Sequence, residues 1–291
     1  MLRLLARTRV FAAGDDPILI TGERGTGKTT FARLVHHLSG RRGEFVPYQL
    51  SATSNGLHLN DLFGHARGAY TGAHQDQTGL VESARDGTLF LDEFGLASRR
   101  LQQALLSLFD KGGFLRLGEQ RRRAVTARVV AATSADLQRL VEQGRFRRDL
   151  VDRLGYFDLH LPPLRERRDE IIPLFSRFWS ESRRRAPAGR PDLDAAVAHL
   201  LLAAPWPGNV RQLEFVARYA AAVGGDDDQV TVMQLPEKWL DSLGPGRAGQ
   251  KRPDRFQLSL LEANGNKSEA ARRMGVSRRT IQRHTKPKSE V

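Results

Sequence analysis

The segment Gly22-Glu23-Arg24-Gly25-Thr26-Gly27-Lys28-Thr29 has the residue types and spacing of a phosphate cradle. Glycines let a backbone curl so that successive amides face an anion. The Lys28 ammonium neutralises β and γ oxygens, and the Thr29 hydroxyl can ligate Mg²⁺. Further along, the apolar run Thr88–Leu91 ends in Asp92-Glu93. Two carboxylates at a strand end suit a nucleotide hydrolase, because the first holds the metal through its water shell and the second polarises the attacking water. ATP and Mg²⁺ are the implied cofactors, and the implied reaction is ATP plus water to ADP and phosphate.

Each group needs an element to hold it. Pro17–Thr21 reads as a short buried strand leading into the glycine loop. The stretch TTFARLVHHLSG after it has helical apolar spacing, and its N-terminus adds a positive end to the cradle. A strand, a glycine loop, a helix and a second strand ending in acids make an α/β fold with a parallel sheet the expectation, of the P-loop NTPase type.

The chain has 291 residues, enough for about two domains. It carries 46 Lys and Arg against 33 Asp and Glu, a net charge of +13, and no cysteine. Disulfides, cysteine-ligated zinc and thiol catalysis are therefore excluded. The uncharged stretch 195–210 is broken by Pro205 and Pro207 and is too short to cross about 30 Å of hydrocarbon, so no membrane partner is expected. The opening MLRLLARTRVFAAG imitates a targeting segment, but Arg3, Arg7 and Arg9 interrupt any apolar region. A short amphipathic helix leading into the core, in a cytoplasmic protein, is the expectation. Only 16 residues precede the first strand, which makes control by a partner in trans or by expression level the simplest reading.

Between the two motifs lies Gly68-Ala69-Tyr70-Thr71-Gly72-Ala73, small and flexible with one aromatic at its centre. Such a loop cannot form a core of its own; it either turns the chain or touches a partner. GAYTGA resembles the GAFTGA signature of sigma-54-dependent transcriptional activators, the NtrC-type branch of the AAA+ ATPases. The resemblance runs from about Pro17 to Arg283 with its motifs in family order. GTLFLDEF resembles the Walker B strand, RVVAATSADL sensor I, GRFRRDLVDRLGYFDLHLPPLRERRDEI the arginine-finger segment, and WPGNVRQLE sensor II.

The resemblance implies roles residue by residue. Gly68 to Ala73, with Tyr70 and Thr71 at the tip, would contact sigma-54 in its RNA polymerase holoenzyme. Thr133, Ser134 and Arg211 would read the nucleotide. Arg147 and Arg153 would reach the γ-phosphate held by a neighbouring subunit, so that activity requires a hexameric or heptameric ring. Three positions depart from the family pattern. Gln49 stands where an Asn restrains the Walker B glutamate, Ser134 where sensor I ends in Asn, and Thr29 where Glu is common. The first two motivate a rival reading, a DNA-binding regulator with a decayed ATPase in which nucleotide only controls assembly.

Residues 1–165 are expected to form the nucleotide-binding subdomain and 166–243 a small helical lid. A linker follows at 244–255, rich in Gly, Pro and basic residues. Residues 256–291 have a helix-turn-helix pattern. Asn266 and Glu269 sit at capping-box spacing, Ala270 and Ala271 are small enough for close helix crossing, and Gly275 is placed to end that helix. The second helix would present Ser277, Arg278, Arg279, Gln282 and Arg283 to double-stranded DNA. This stretch resembles the Fis-type module that closes many such activators. From Arg247 to Val291 there are 12 basic and 4 acidic residues, a net +8 that leaves +5 for the rest of the chain. Phosphate contacts there would make DNA binding salt-dependent.

Overall fold

The computed structural model describes residues 2–50, 57–183, 191–225, 227–243 and 266–273. Helix α1 (Leu2–Ala12) precedes strand β1 (Ile18–Thr21), and helix α2 (Lys28–Leu38) follows the glycine loop. Next come β2 (Phe45–Gln49), α3 (Leu57–Phe63), the short antiparallel pair β3 (Gly64–His65) and β4 (Gln77–Thr78), α4 (Leu80–Ser83) and β5 (Thr88–Asp92). Then α5 (Arg99–Lys111) leads into a second short pair, β6 (Gly113–Phe114) and β7 (Arg123–Ala124), and on to β8 (Arg128–Thr133). Two helices, α6 (Leu137–Glu142) and α7 (Arg148–Gly155), and strand β9 (Asp158–His160) complete this part.

Five strands form one parallel sheet in the order β2-β5-β8-β1-β9. Its central strands carry continuous apolar runs, Ile18–Ile20, Leu89–Leu91 and Val129–Ala132, because both faces are covered. Leu19, Leu89, Leu91, Val129 and Ala131 point into a core with Leu101, Leu105, Leu150 and Leu154 of α5 and α7. Their neighbours Ile18, Ile20, Phe90, Val130 and Ala132 join the opposite core, with Phe31 and Val35 of α2. The period-two alternation of strand side chains divides a continuous apolar run between two layers.

Helix α1 is tied to this sheet by a buried cation. Arg128, 2% exposed at the start of β8, donates to the carbonyls of Phe11 (2.5 Å), Ala12 (2.8 Å) and Asp16 (2.9 Å). It thereby satisfies the last carbonyls of α1, which have no partner inside the helix. Burial lowers its pKa to about 10.

The described chain divides into two compact units. The first is Met1–Arg167 together with Trp206–Gln212, and the second takes Arg168–Pro205 and the described residues from Leu213 on. The WPGNVRQ segment, placed by sequence in the lid, therefore folds with the nucleotide unit. In the second unit α8 (Ile171–Ser182) buries Ile171, Phe175 and Trp179 on one stripe. Helix α9 (Ala195–Ala203) buries Val197 and Leu201. Helix α10 (Asn209–Gly224) begins in the first unit and continues in the second, burying Leu213, Val216, Ala217 and Ala220. After α11 (Glu237–Ser242) the next described helix is α12 (Lys267–Arg273). Asn266 caps it, its side-chain oxygen accepting from the amides of Ser268 (3.1 Å) and Glu269 (3.2 Å). The expected linker, Gly275, and the DNA-contact residues Ser277, Arg278, Arg279, Gln282 and Arg283 lie outside the described residues.

Candidate functional site

The glycine loop leaves β1 and closes on itself through its own side chains. Thr26 Oγ1 donates to the Glu23 carbonyl (2.9 Å), and Lys28 Nζ donates to the carbonyls of Gly22 (2.9 Å) and Glu23 (3.0 Å). Lys28 is 7% exposed, and burial pushes its pKa below the ordinary lysine value. Asp92 and Glu93 oppose this shift, while Arg211 and Arg24 lie near enough to add to it. Gly25 has φ +77°, and a Cβ there would stand 2.3 Å from the Gly208 carbonyl oxygen. This position requires glycine for both conformation and space.

Glu23 anchors the loop to the returning segment. Its carboxylate accepts two hydrogen bonds from Arg165 (2.6 and 2.9 Å) and one from Asn209 Nδ2 (3.1 Å), which hold its pKa at about 2. Asn209 is fully buried at φ +51°. Its Nδ2 also donates to the Arg24 carbonyl (2.9 Å), and its Oδ1 accepts from the Leu164 amide (2.7 Å). The Arg211 amide donates to the Gly25 carbonyl (3.3 Å). Arg165 and Asn209 were not singled out from sequence; the Pro207-Gly208 turn ahead of a helix was the available signal for Asn209.

At the end of β5, Asp92 Oδ2 accepts from Thr29 Oγ1 (3.4 Å), and Asp92 Oδ1 accepts from the Glu93 amide (2.9 Å). This pairs two hard oxygen donors beside the cradle. The set fits Mg²⁺, which takes few protein ligands and keeps waters and phosphate oxygens for the rest. Glu93 has φ +52°, a left-handed conformation uncommon outside glycine. Its Oε2 accepts from Ser134 Oγ (3.2 Å), and Arg24 Nε lies 3.8 Å from its Oε1. Thr133 is committed to backbone, its Oγ1 accepting from the amides of Gly95 (3.3 Å) and Ala135 (3.0 Å). Gln49 pairs with Asp92 in register through the sheet, but its side chain is exposed and makes no hydrogen bond to Glu93. Ser134, rather than Gln49, is the side chain on the glutamate here. A cavity of about 500 Å³ opens among Arg24, Glu93, Gly95, Ser134 and Pro207.

Arg147 stands at the residue before α7, its guanidinium paired bidentately with Asp149 (3.0 and 2.6 Å). That pair raises the Arg147 pKa and lowers that of Asp149. Arg153 Nη2 donates to the Phe109 carbonyl on α5 (3.3 Å).

The GAYTGA segment forms the turn between β3 and β4. Gly68 (φ +80°) and Gly72 (φ +106°) shape it, with hydrogen bonds from the Gly68 amide to Ala73 O (2.8 Å) and the Ala73 amide to Tyr70 O (3.0 Å). Tyr70 is half exposed and Thr71 exposed. The Tyr70 ring lies 5.0 Å from that of buried His65, whose Nδ1 is 2.6 Å from Asn60 Oδ1. The connection between β6 and β7 supports the base, through Ala66 N to Leu117 O (2.9 Å) and Leu117 N to Gly64 O (3.0 Å).

A parallel sheet in this order, with a glycine loop after β1 and paired acids after β5, defines a P-loop NTPase of the AAA+ class. Residues 1–160 match the sigma-54 interaction domain, 165–251 the AAA+ ATPase lid domain, and 259–284 the Fis family of bacterial regulatory proteins. The chain belongs to the sigma-54-dependent transcriptional activators. It is 41% identical over 201 residues to the pathogenicity locus probable regulatory protein HrpS of Pseudomonas syringae pv. syringae, a match spanning 69% of this chain and 67% of HrpS. It is 36% identical over 294 residues to the formate hydrogenlyase transcriptional activator of Salmonella typhimurium (strain SL1344). That match spans 97% of this chain and 42% of the relative, so the chain covers less than half of that protein's length. The crystal structure of Brucella abortus NtrX in complex with ATP superposes with a TM-score of 0.75 at 26% identity, covering 97% of this chain and 66% of NtrX. Among the described residues, no helix is long and apolar enough to cross a membrane.

Proposed function

We propose that this protein is an ATP-dependent activator that binds an upstream DNA site, assembles into a hexameric or heptameric ring, and remodels closed complexes of sigma-54 RNA polymerase holoenzyme into open ones in the cytoplasm. The observation that carries this reading is the pairing, in one unit, of a hydrolytic cradle with a GAYTGA turn whose Tyr70 and Thr71 face outward. ATP would bind at Gly22–Thr29, with Lys28 moving from loop carbonyls to phosphate oxygens. Mg²⁺ held by Thr29 and Asp92 would offset charge on the transferred phosphoryl group. Glu93 would orient and deprotonate the attacking water. Arg147 and Arg153 would complete the neighbour's site, while Thr133, Ser134 and Arg211 report nucleotide state. DNA binding is assigned to the Fis-type stretch through Ser277, Arg278, Arg279, Gln282 and Arg283.

Open-complex formation by sigma-54 holoenzyme is the direct test, with ATP compared against a non-hydrolysable analogue. Thr71→Ala should keep ATP affinity and lose open complexes; unchanged transcription by that variant refutes the loop assignment. The departures at Gln49 and Ser134 are what favour the rival decayed-ATPase reading. Open complexes formed equally with the analogue would support it.

A further inference from the structure

Two segments remote in sequence meet behind the candidate site. Glu93 begins a tight turn, with Leu96 N donating to Glu93 O (2.9 Å) and Ala97 N to Phe94 O (3.0 Å). Phe94, directly after the glutamate, and Phe146, directly before the arginine finger, are both buried. Their rings pack edge-on, 5.5 Å apart at 65°. Beside them Gln102 of α5 is completely buried. Its Nε2 donates to the carbonyls of Ala97 (2.7 Å) and Arg145 (3.1 Å), and its Oε1 accepts from the Arg147 amide (2.9 Å). Both amide hydrogens and one oxygen lone pair are used. Leaving such buried groups unpaired is costly, so this amide fixes where the two segments stand.

We propose that Gln102, aided by the Phe94–Phe146 contact, is a positioning residue that ties the Arg147 finger to the turn carrying the same subunit's Glu93. The inference rests on the reading that Arg147 serves a neighbouring subunit. The turn following one site then sets the backbone from which the group completing the next site projects. Because Arg147 pairs with Asp149 only two residues on, its side chain moves with that backbone. A close-packed interior passes a shift in one segment to the other rather than absorbing it.

The test is steady-state ATPase of the full chain carrying Q102L, F146L, R147A or E93Q, alone and in equimolar mixtures. Light scattering fixes the assembly state, and a fluorescent ATP analogue reports binding. Q102L alone is expected to lower kcat at least tenfold with ATP affinity within twofold. Mixing it with E93Q should restore turnover above that of either alone, since E93Q subunits supply intact fingers to Q102L sites. F146L should show a smaller loss, restored in the same way, and it decides the matter if Q102L does not fold. Wild-type turnover by Q102L overturns the proposal. So does failure of the mixtures to recover while the variants bind ATP, assemble and melt normally. R147A is the separate arm: normal turnover by R147A refutes the trans-finger reading itself, whereas loss in R147A without loss in Q102L refutes only the role of Gln102.

Discussion

The glycine loop of the cradle and the GAYTGA turn are both short, glycine-rich and built on left-handed residues, yet they are held in opposite ways. At Gly25 a Cβ would collide with the Gly208 carbonyl, whereas at Gly72 it would meet nothing within 4 Å. In the cradle Glu23, Lys28 and Asn209 are all engaged by hydrogen bonds at 2.6–3.1 Å. Among the described residues, the GAYTGA turn is held by backbone amide bonds, by Ala69 lying against Gly118 and by the contact of Tyr70 with His65. Preorganised donors stabilise developing charge without reorganising, so a phosphate site gains from being fixed on all sides. In the proposed function the GAYTGA turn meets another protein, and such a turn gains from a fixed base and an open tip. Glycine therefore serves space and conformation at Gly22 and Gly25 of the cradle, and conformation alone at Gly27 and at Gly68 and Gly72 of the turn.

That contrast can be broken or sharpened by four measurements. The largest effect tests whether the cradle, however well fixed, is complete within one chain. Arg147→Ala should lower kcat by about 10³–10⁵, the span known for arginine fingers, with nucleotide affinity kept. Gly25→Ala should come next, because it brings both a clash and a strained φ. We expect loss of detectable ATP binding and about 2–4 kcal/mol of stability, read by calorimetry and thermal melts. Gly72→Ala should cost about 1 kcal/mol, from φ strain alone, and leave ATP affinity unchanged. Equal damage from the two glycine substitutions would abolish the distinction drawn between the regions.

The smallest effect concerns Glu23. Its pKa falls from an ordinary 4.5 to about 2 in the folded protein, chiefly through Arg165. A depressed carboxyl pKa stabilises above the unfolded value and loses that contribution as pH falls toward the folded value. The stability difference between wild type and Glu23→Gln should thus be present at pH 6 and shrink between about pH 4.5 and 2. Both partners are over 40% exposed, so solvent screening keeps it below about 1 kcal/mol. Thermal melts across that range, with no narrowing of the difference on acidification, would remove Glu23 as an anchor.

Much of the first unit was legible in the chain. Pro17–Thr21 and Thr88–Leu91 announced themselves as buried strands because parallel strands covered on both faces need unbroken apolar runs. The glycine loop was legible because its conformation depends on glycine at fixed short spacings. The GAYTGA turn was legible as a loop for the same reason, whereas its proposed role as a contact surface rests on resemblance. What escaped was the set of groups that hold the chemistry in place. Arg165, Asn209 and Gln102 look in sequence like any surface cation, turn residue and helix amide. Trp206–Gln212 lies within the stretch that matches the AAA+ lid domain, yet it groups by contacts with the first unit, and nothing in WPGNVRQ marks that packing.

The sequence by itself determined the local requirements: where the backbone must turn left-handed, which runs must be buried, where carboxylates stand at a strand end, and where basic charge gathers. Those follow from φ, hydrophobicity and charge, which act over a few residues. Only the tertiary structure decided which groups meet. It placed Ser134 rather than Gln49 on Glu93, Arg128 on the carbonyls of α1, and Gln102 between the turn after Glu93 and the backbone of Arg145 and Arg147. Hydrogen bonds need donor and acceptor about 3 Å apart, and for residues as far apart as Glu93 and Ser134, Ala12 and Arg128, or Gln102 and Arg147 that proximity is set by how helices and strands pack.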